Sequence, residues 1–177
     1  MDRRSAIRCS LAVTAGIFLM PSCIQEKKKP SVALKNMDIS GDQESLLADL
    51  AETIIPKTST PGAKDISSHL FALMMVDDCY DPDAQKKFVS GLAQFESISK
   101  TKFGSSFTKC TQLQKEDLLK AMESKTGISD EALSFYNSMK RLTIQSFTTS
   151  QYFLTKIHVY ELVPARFHGC VPVTKSN

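Results

Sequence analysis

The residues of this chain best suited to chemistry are its three histidines, five cysteines and one dense carboxylate run. None of His69, His158 and His168 stands at short helical spacing from a second His or Cys, as a metal pair on one helix face requires. Asp65 and His69 are four apart, which reads as a surface ion pair. His168 lies two residues before Cys170, an arrangement that could serve a thiol nucleophile, but in an oxidising compartment Cys170 reads as half of a disulfide. Asp77, Asp78, Asp81 and Asp83 form the strongest carboxylate cluster. Their spacing does not match an EF-hand loop, and helix-end capping accounts for Asp81 and Asp83. The seven glycines stand singly, so neither a dinucleotide fingerprint nor a phosphate-binding loop is present. There is no Cys-x-x-Cys-His, and the cysteines are too far apart for a familiar iron–sulfur ligand set. The expectation is a chain with no catalytic residue, no metal ligand and no cofactor of its own.

The N-terminus has a different character from the rest. Arg3, Arg4 and Arg8 flank a mostly apolar run of twelve residues from Cys9 to Met20, followed by Pro21-Ser22-Cys23. That run is too short to cross a hydrocarbon core of about 30 Å and fits the apolar stretch of an export signal. Arg3-Arg4-Ser5-Ala6-Ile7-Arg8 resembles a twin-arginine signal, and Met20-Pro21-Ser22-Cys23 resembles a lipobox with Cys23 as the lipidated residue. The expected organisation is a signal peptide over residues 1–22, a lipid-anchored linker over 23–41 and a domain over 42–177, facing the periplasm from a bacterial membrane. Removing three arginines and one aspartate with residues 1–22 brings the formal charge from +3 to +1. Lys27-Lys28-Lys29 then reads as part of a solvated tether, and nucleic acid is not an expected partner. With Cys23 lipidated, three thiols remain. Cys79 and Cys170, both at element boundaries, are the candidate disulfide, with Cys110 as an equally available partner.

With 42 % hydrophobic and 23 % charged residues, the chain suits one domain with a real core. Leu46, Leu47, Leu50, Ala51, Ile54 and Ile55 recur at helical spacing and predict a helix from near Asp42 to before Pro56. Pro56 to Gly62 is a rigid connection. A second helix is expected from about Lys64 to Cys79, with Ile66, Leu70, Leu73 and Met74 as its apolar stripe and Met74-Met75 in the core. Asp81-Pro82-Asp83 opens a third helix carrying Phe88, Leu92 and Phe95 to near Gly104. Gln112 to Lys125 forms a fourth, stopped before Gly127. Ser129 opens a fifth, with Phe135, Met139 and Leu142 along one side. A last helical stretch, about Thr149 to Tyr160, precedes an extended tail from Val163 to Pro172. The fold class is all-α: a single bundle of about six helices with an extended C-terminal tail.

Ile54-Ile55-Pro56-Lys57-Thr58-Ser59-Thr60-Pro61-Gly62-Ala63 closely resembles the signature near the start of the gluconate 2-dehydrogenase subunit 3 family, in which an apolar pair and Pro lead into a Thr-rich turn ending Pro-Gly-Ala. Gly91-Leu92, Phe103-Gly104, Phe107, Gln114, Lys140-Arg141-Leu142-Thr143, Tyr160 and Pro164 through Pro172 are similar to later landmarks of that family, in order. Ala165 and Phe167 stand where the family commonly has Gly and Tyr. The resemblance implies a non-catalytic small subunit that accompanies a large FAD-dependent subunit oxidising a sugar or sugar acid, with a cytochrome c subunit carrying haem as a further member. It also implies that the small subunit carries the export signal, so that Arg3 and Arg4 serve a flavoprotein that crosses the membrane already folded. Pro56, Pro61 and Gly62 of the rigid connection, and Pro164 and Phe167 of the tail, are the candidate docking residues. The alternative expectation is a stand-alone envelope lipoprotein acting as a binding module.

Overall fold

The computed structural model describes residues 29–125 and 127–158. These form five α-helices: α1 Gly41–Ile54, α2 Ser68–Cys79, α3 Pro82–Phe103, α4 Gln112–Ser124 and α5 Asp130–Thr148. A 3-10 turn, Phe107–Lys109, precedes α4, and a π-helical turn, Phe153–Ile157, follows α5. Among the described residues there is no strand, and no helix is long and apolar enough to cross a membrane. The chain is all-α, as its periodicity predicts.

Most helix ends are set by local chemistry. Ser40 accepts from the Gln43 amide while the Gln43 side chain accepts from the Ser40 N–H at 2.8 Å, a reciprocal capping box. Thr111 and Gln114 repeat it at the head of α4. Asp81 accepts from the amides of Asp83 and Ala84 at 3.0 and 2.8 Å, with Pro82 in the first turn where its missing N–H costs nothing. Ser129 caps α5 by accepting from Ala132. Gly104 ends α3 in the left-handed region, at φ 69°. The fourth helix ends at Ser124, within a residue of the expected Lys125 and before Gly127; the residue that first turns left-handed is Lys125, at φ 56°, with Gly127 following at φ 69°.

α5 is the central element, packing on α3 along its N-terminal half and making its second largest interface with α2. Gly91 permits the α3 contact: a Cβ there would lie 2.5 Å from the Glu131 carbonyl oxygen and 2.6 Å from Phe135 Cβ. Because the backbones meet so closely, Phe88 and Phe135 stack edge-on with centroids 5.0 Å apart, and Phe95 lies between Phe135 at 5.7 Å and Phe107 at 5.0 Å. These four rings are buried with Leu46, Leu47, Leu50, Leu73, Met139 and Leu142. Each such side chain contributes about 1.5–3 kcal/mol by leaving water.

α2 departs from its expectation twice. It opens at Ser68, not Lys64, because residues 64–67 form a turn, with Ser67 N–H donating to the Lys64 carbonyl and Ser67 itself at φ 55°. Its buried side is Ser68, Ala72, Leu73 and Val76, whereas Leu70 is only half-buried and Met74 is 45 % exposed. The segment Leu70 to Val76 is apolar on every side, so its periodicity could not select the buried face. Of the Met74-Met75 pair, only Met75 packs against the core.

The expected linker is also shorter than its polarity suggested. Met37 and Ile39 are buried in the core, and residues 35–37 are strapped to the end of α2. The Asp77 carboxylate accepts the backbone N–H groups of Lys35 and Asn36 at 2.8 Å and of Met37 at 3.0 Å. Asn36 returns a bond to the Asp77 carbonyl at 2.8 Å. Further out, Glu44 in the first turn of α1 accepts from the Ser31 N–H and hydroxyl. The domain therefore begins near residue 31, eleven residues before the expected start at residue 42. Of the last helical stretch, Gln151 and Tyr152 are helical and Phe153–Ile157 form the π turn, none of whose residues is buried; residues 159–160 and the tail from Val163 to Pro172 lie outside the described residues.

Candidate functional site

The connection between α1 and α2 is built around two carboxylates. Glu52, in the last turn of α1, accepts the Lys57 N–H on one oxygen and the Lys64 N–H on the other, each at 2.9 Å. Asp65 accepts the Gly62 N–H at 3.1 Å and pairs with the Lys57 ammonium at 3.1 Å. The Lys57 bond, then the Gly62 N–H, hold the Asp65 carboxyl below its ordinary value. Ala63 N–H closes the loop on the Ile55 carbonyl at 2.9 Å, and Thr58 N–H donates to the Thr60 carbonyl at 3.1 Å. Below the loop, Asp49 pairs with Lys64 and, at 2.9 Å, with Lys115, whose ammonium also sits 5.4 Å over the Phe107 ring. Burial alone would raise the Asp49 carboxyl, but the two lysines outweigh it and hold it low. The turn is thus tied to α1 and, through Asp49, to Lys115 of α4.

This frame sorts the predicted docking residues. Pro56 is exposed together with Lys57, Thr58 and Ser59, and Pro61 is half-buried. Gly62 is buried and cannot be a contact residue. A Cβ on it would stand 2.5 and 2.6 Å from the Glu52 carboxylate oxygens and 2.7 Å from the Lys57 nitrogen. Its role is to let the chain pass over Glu52. Beside the turn, Thr53 and Ile54 join α4 and α5 residues around a shallow groove of about 280 Å³. Within it Tyr136 donates its hydroxyl to Glu123 at 3.1 Å, and Lys140 pairs with the same carboxylate. Burial first, then the Glu123 charge, push the Tyr136 phenol up, so it remains a neutral donor.

The other candidates are placed as follows. Asp65 spends its carboxylate on Lys57 and Gly62 in place of the ion pair expected with His69. His69 is half-buried, its Nδ1 has no partner, and desolvation holds its imidazole below the ordinary value, the opposing charge of Glu44 notwithstanding. Asp77 serves the strap and Asp81 the α3 cap, so the carboxylate run is divided between two structural tasks. Among the described residues no three His, Cys, Asp or Glu side chains come together as a metal site would need. Cys79 is exposed, Cys110 is buried, and they are not bonded to each other. Arg3, Arg4, Cys23, Pro164, Phe167 and Cys170 lie outside the described residues, and with them the Cys79–Cys170 pairing. Glu52 was missed by motif reading, and Asp65 and Asp77 were singled out for other roles than the ones they hold here. The available signal was their position: Glu52 and Asp77 are negative charges in the last turns of helices, where the dipole disfavours them.

A preorganised, partly exposed turn beside a hydrogen-bonding groove suits recognition. The frame supplies no nucleophile held against a base. The family profile described as "Gluconate 2-dehydrogenase subunit 3" matches residues 41–165. Neither the curated proteins nor the solved structures gave a match. The matched segment starts at the first residue of α1, contains the whole two-carboxylate turn and all five helices, and covers most of the chain, which therefore belongs to the gluconate 2-dehydrogenase subunit 3 family and is an accessory subunit of a dehydrogenase complex.

Proposed function

We propose that this chain is the non-catalytic small subunit of an exported, flavin-dependent sugar or sugar-acid dehydrogenase, supporting assembly and export of a large FAD-bearing subunit. The observation that carries the reading is the family match over residues 41–165. The N-terminal sequence supports the export role: Arg3 and Arg4 form a twin-arginine-like pair, and a flavoprotein that binds FAD before export must cross the membrane folded. Cys23 is the lipidated residue, so the chain is held at a membrane and faces the periplasm. FAD resides in the large subunit, and haem in a cytochrome c subunit where one is present.

The turn around Pro56 and Pro61 is the part of this chain that meets the large subunit. Held by Glu52 and Asp65, it loses little conformational freedom on binding, which favours affinity for a given contact area. The test is purification of the tagged protein from its own membranes in mild detergent, followed by mass spectrometry and a visible absorption spectrum. A stoichiometric flavoprotein, with or without haem bands, is the expected result. A colourless lipidated monomer would refute the subunit role and favour a stand-alone binding module.

A further inference from the structure

We propose that the strap over residues 31–39 biases how the domain stands on the membrane, favouring the N-terminal end of α1 toward the lipid surface and the residue 55–63 turn away from it. This inference rests on the reading of Cys23 as the lipidated residue.

The geometry follows from where the chain is first held. Had residues 23–41 been a free tether, 18 residues would have separated the lipid from the domain, a reach of about 60 Å, and the domain could have presented any face to the bilayer. Among the described residues the first fixed point is instead Ser31, whose N–H and hydroxyl both donate to Glu44. Eight residues separate Cys23 from Ser31, a reach of at most about 27 Å when fully extended and a root-mean-square span of about 16 Å when flexible. The hold continues inward through the three N–H bonds to Asp77 and the buried side chains of Met37 and Ile39.

Glu44 lies in the first turn of α1, and the two-carboxylate turn begins after its last residue, Ile54. At 1.5 Å per residue, those ten residues put the turn about 15 Å further along the helix axis. The tether thus leaves the domain from one end of α1, and the exposed residues Pro56 to Ser59 occupy the other. A partner subunit in the aqueous phase meets that second end without having to enter the headgroup region. With a tether span comparable to the distance between the two ends of α1, the strap converts an anchor that fixes only location into one that also biases orientation.

The experiment uses the full chain expressed with its own leader, extracted in mild detergent and reconstituted into phosphatidylethanolamine–phosphatidylglycerol vesicles carrying a headgroup energy-transfer acceptor. Cys79 and Cys170 are replaced by Ser, and a donor dye is placed at Asp42→Cys or at Ser59→Cys, both exposed positions. The expected result is greater transfer from position 42 than from position 59. That difference is lost when a Gly-Ser insertion as long as the strap is placed between Glu26 and Lys27, and also when Asp77→Ala frees the strap. Should Asp77→Ala fail to fold, the insertion, which leaves the domain untouched, carries the test. Equal transfer from both positions, or a difference that survives the insertion, overturns the orientation while leaving lipidation intact. Failure of the protein to associate with vesicles overturns the lipid reading itself, and the orientation with it.

Discussion

Replacing Gly91 by Ala sets two effects of opposite sign against each other. In a helix interior, Gly to Ala should stabilise by about 1 kcal/mol through propensity. Here the new Cβ would stand 2.5 Å from the Glu131 carbonyl oxygen and 2.6 Å from Phe135 Cβ. One of those atoms is backbone and the other is the root of a side chain, so neither can swing aside. The first turns of α5 must retreat by about 1 Å, and overpacking of this kind costs roughly 1–3 kcal/mol. The retreat also draws Phe135 away from Phe88 and Phe95, now 5.0 and 5.7 Å distant, and such ring pairs are worth about 0.5–1.5 kcal/mol each. The net expectation is a loss of about 1–3 kcal/mol, lowering Tm by about 3–10 °C. Far-ultraviolet circular dichroism melts of the wild type and Gly91→Ala would read it. Ser97→Ala, at an exposed position on the same helix, serves as the control that reports propensity alone. If Gly91→Ala melts at or above the wild type, alongside Ser97→Ala, the close approach of α3 and α5 is not what requires glycine.

Three further outcomes are expected. Asp77→Ala removes the acceptor of three backbone N–H groups and should cost about 3 kcal/mol, with proteolytic nicking appearing within residues 30–40; an unchanged cleavage pattern would mean that the strap is held by something else. The Asp77 carboxyl sits below its ordinary value because its three N–H donors outweigh the desolvation that would raise it, so the strap's contribution is complete above about pH 4 and is lost only as pH falls through the lower folded value. Gly62→Ala should push the Glu52 carboxylate off Lys57 and Lys64, at a cost of about 1–3 kcal/mol; amide hydrogen exchange at those two residues would accelerate, and full protection in the variant would contradict the proposed frame. His69 has a lowered pKa from desolvation, so the folded state binds its proton less readily and stability falls as pH drops below about 6.5. Urea melts across that range should show a shallower decline in His69→Gln, and parallel declines would assign the effect to another group.

Much of this architecture is local and therefore legible in the chain itself. Ser40, Asp81-Pro82, Thr111 and Ser129 mark helix starts because each satisfies the amides of its own first turn, and Gly104 ends α3 because a left-handed residue is needed at that point. The family signature at residues 54–63 likewise follows from residue types and their order. The lack of a cofactor fingerprint could be read the same way, since phosphate-binding loops require glycines at fixed short spacing.

What the sequence could not determine depends on partners distant along the chain. The buried face of α2 is chosen by α1 and α5, because a helix apolar all round offers no stripe of its own, and so Met74 lies outside and Ser68 inside. Residues 31–39 look like a polar tether until Asp77, some forty residues later, gathers their amides and draws Met37 and Ile39 into the core. Gly62 reads as a turn glycine, but its necessity comes from the carboxylate of Glu52 passing beneath it. Glu52 and Asp77 each oppose the dipole of their own helix. Local chemistry marks that as anomalous, and only the tertiary fold, by bringing free backbone N–H groups within reach of both carboxylates, supplies the reason.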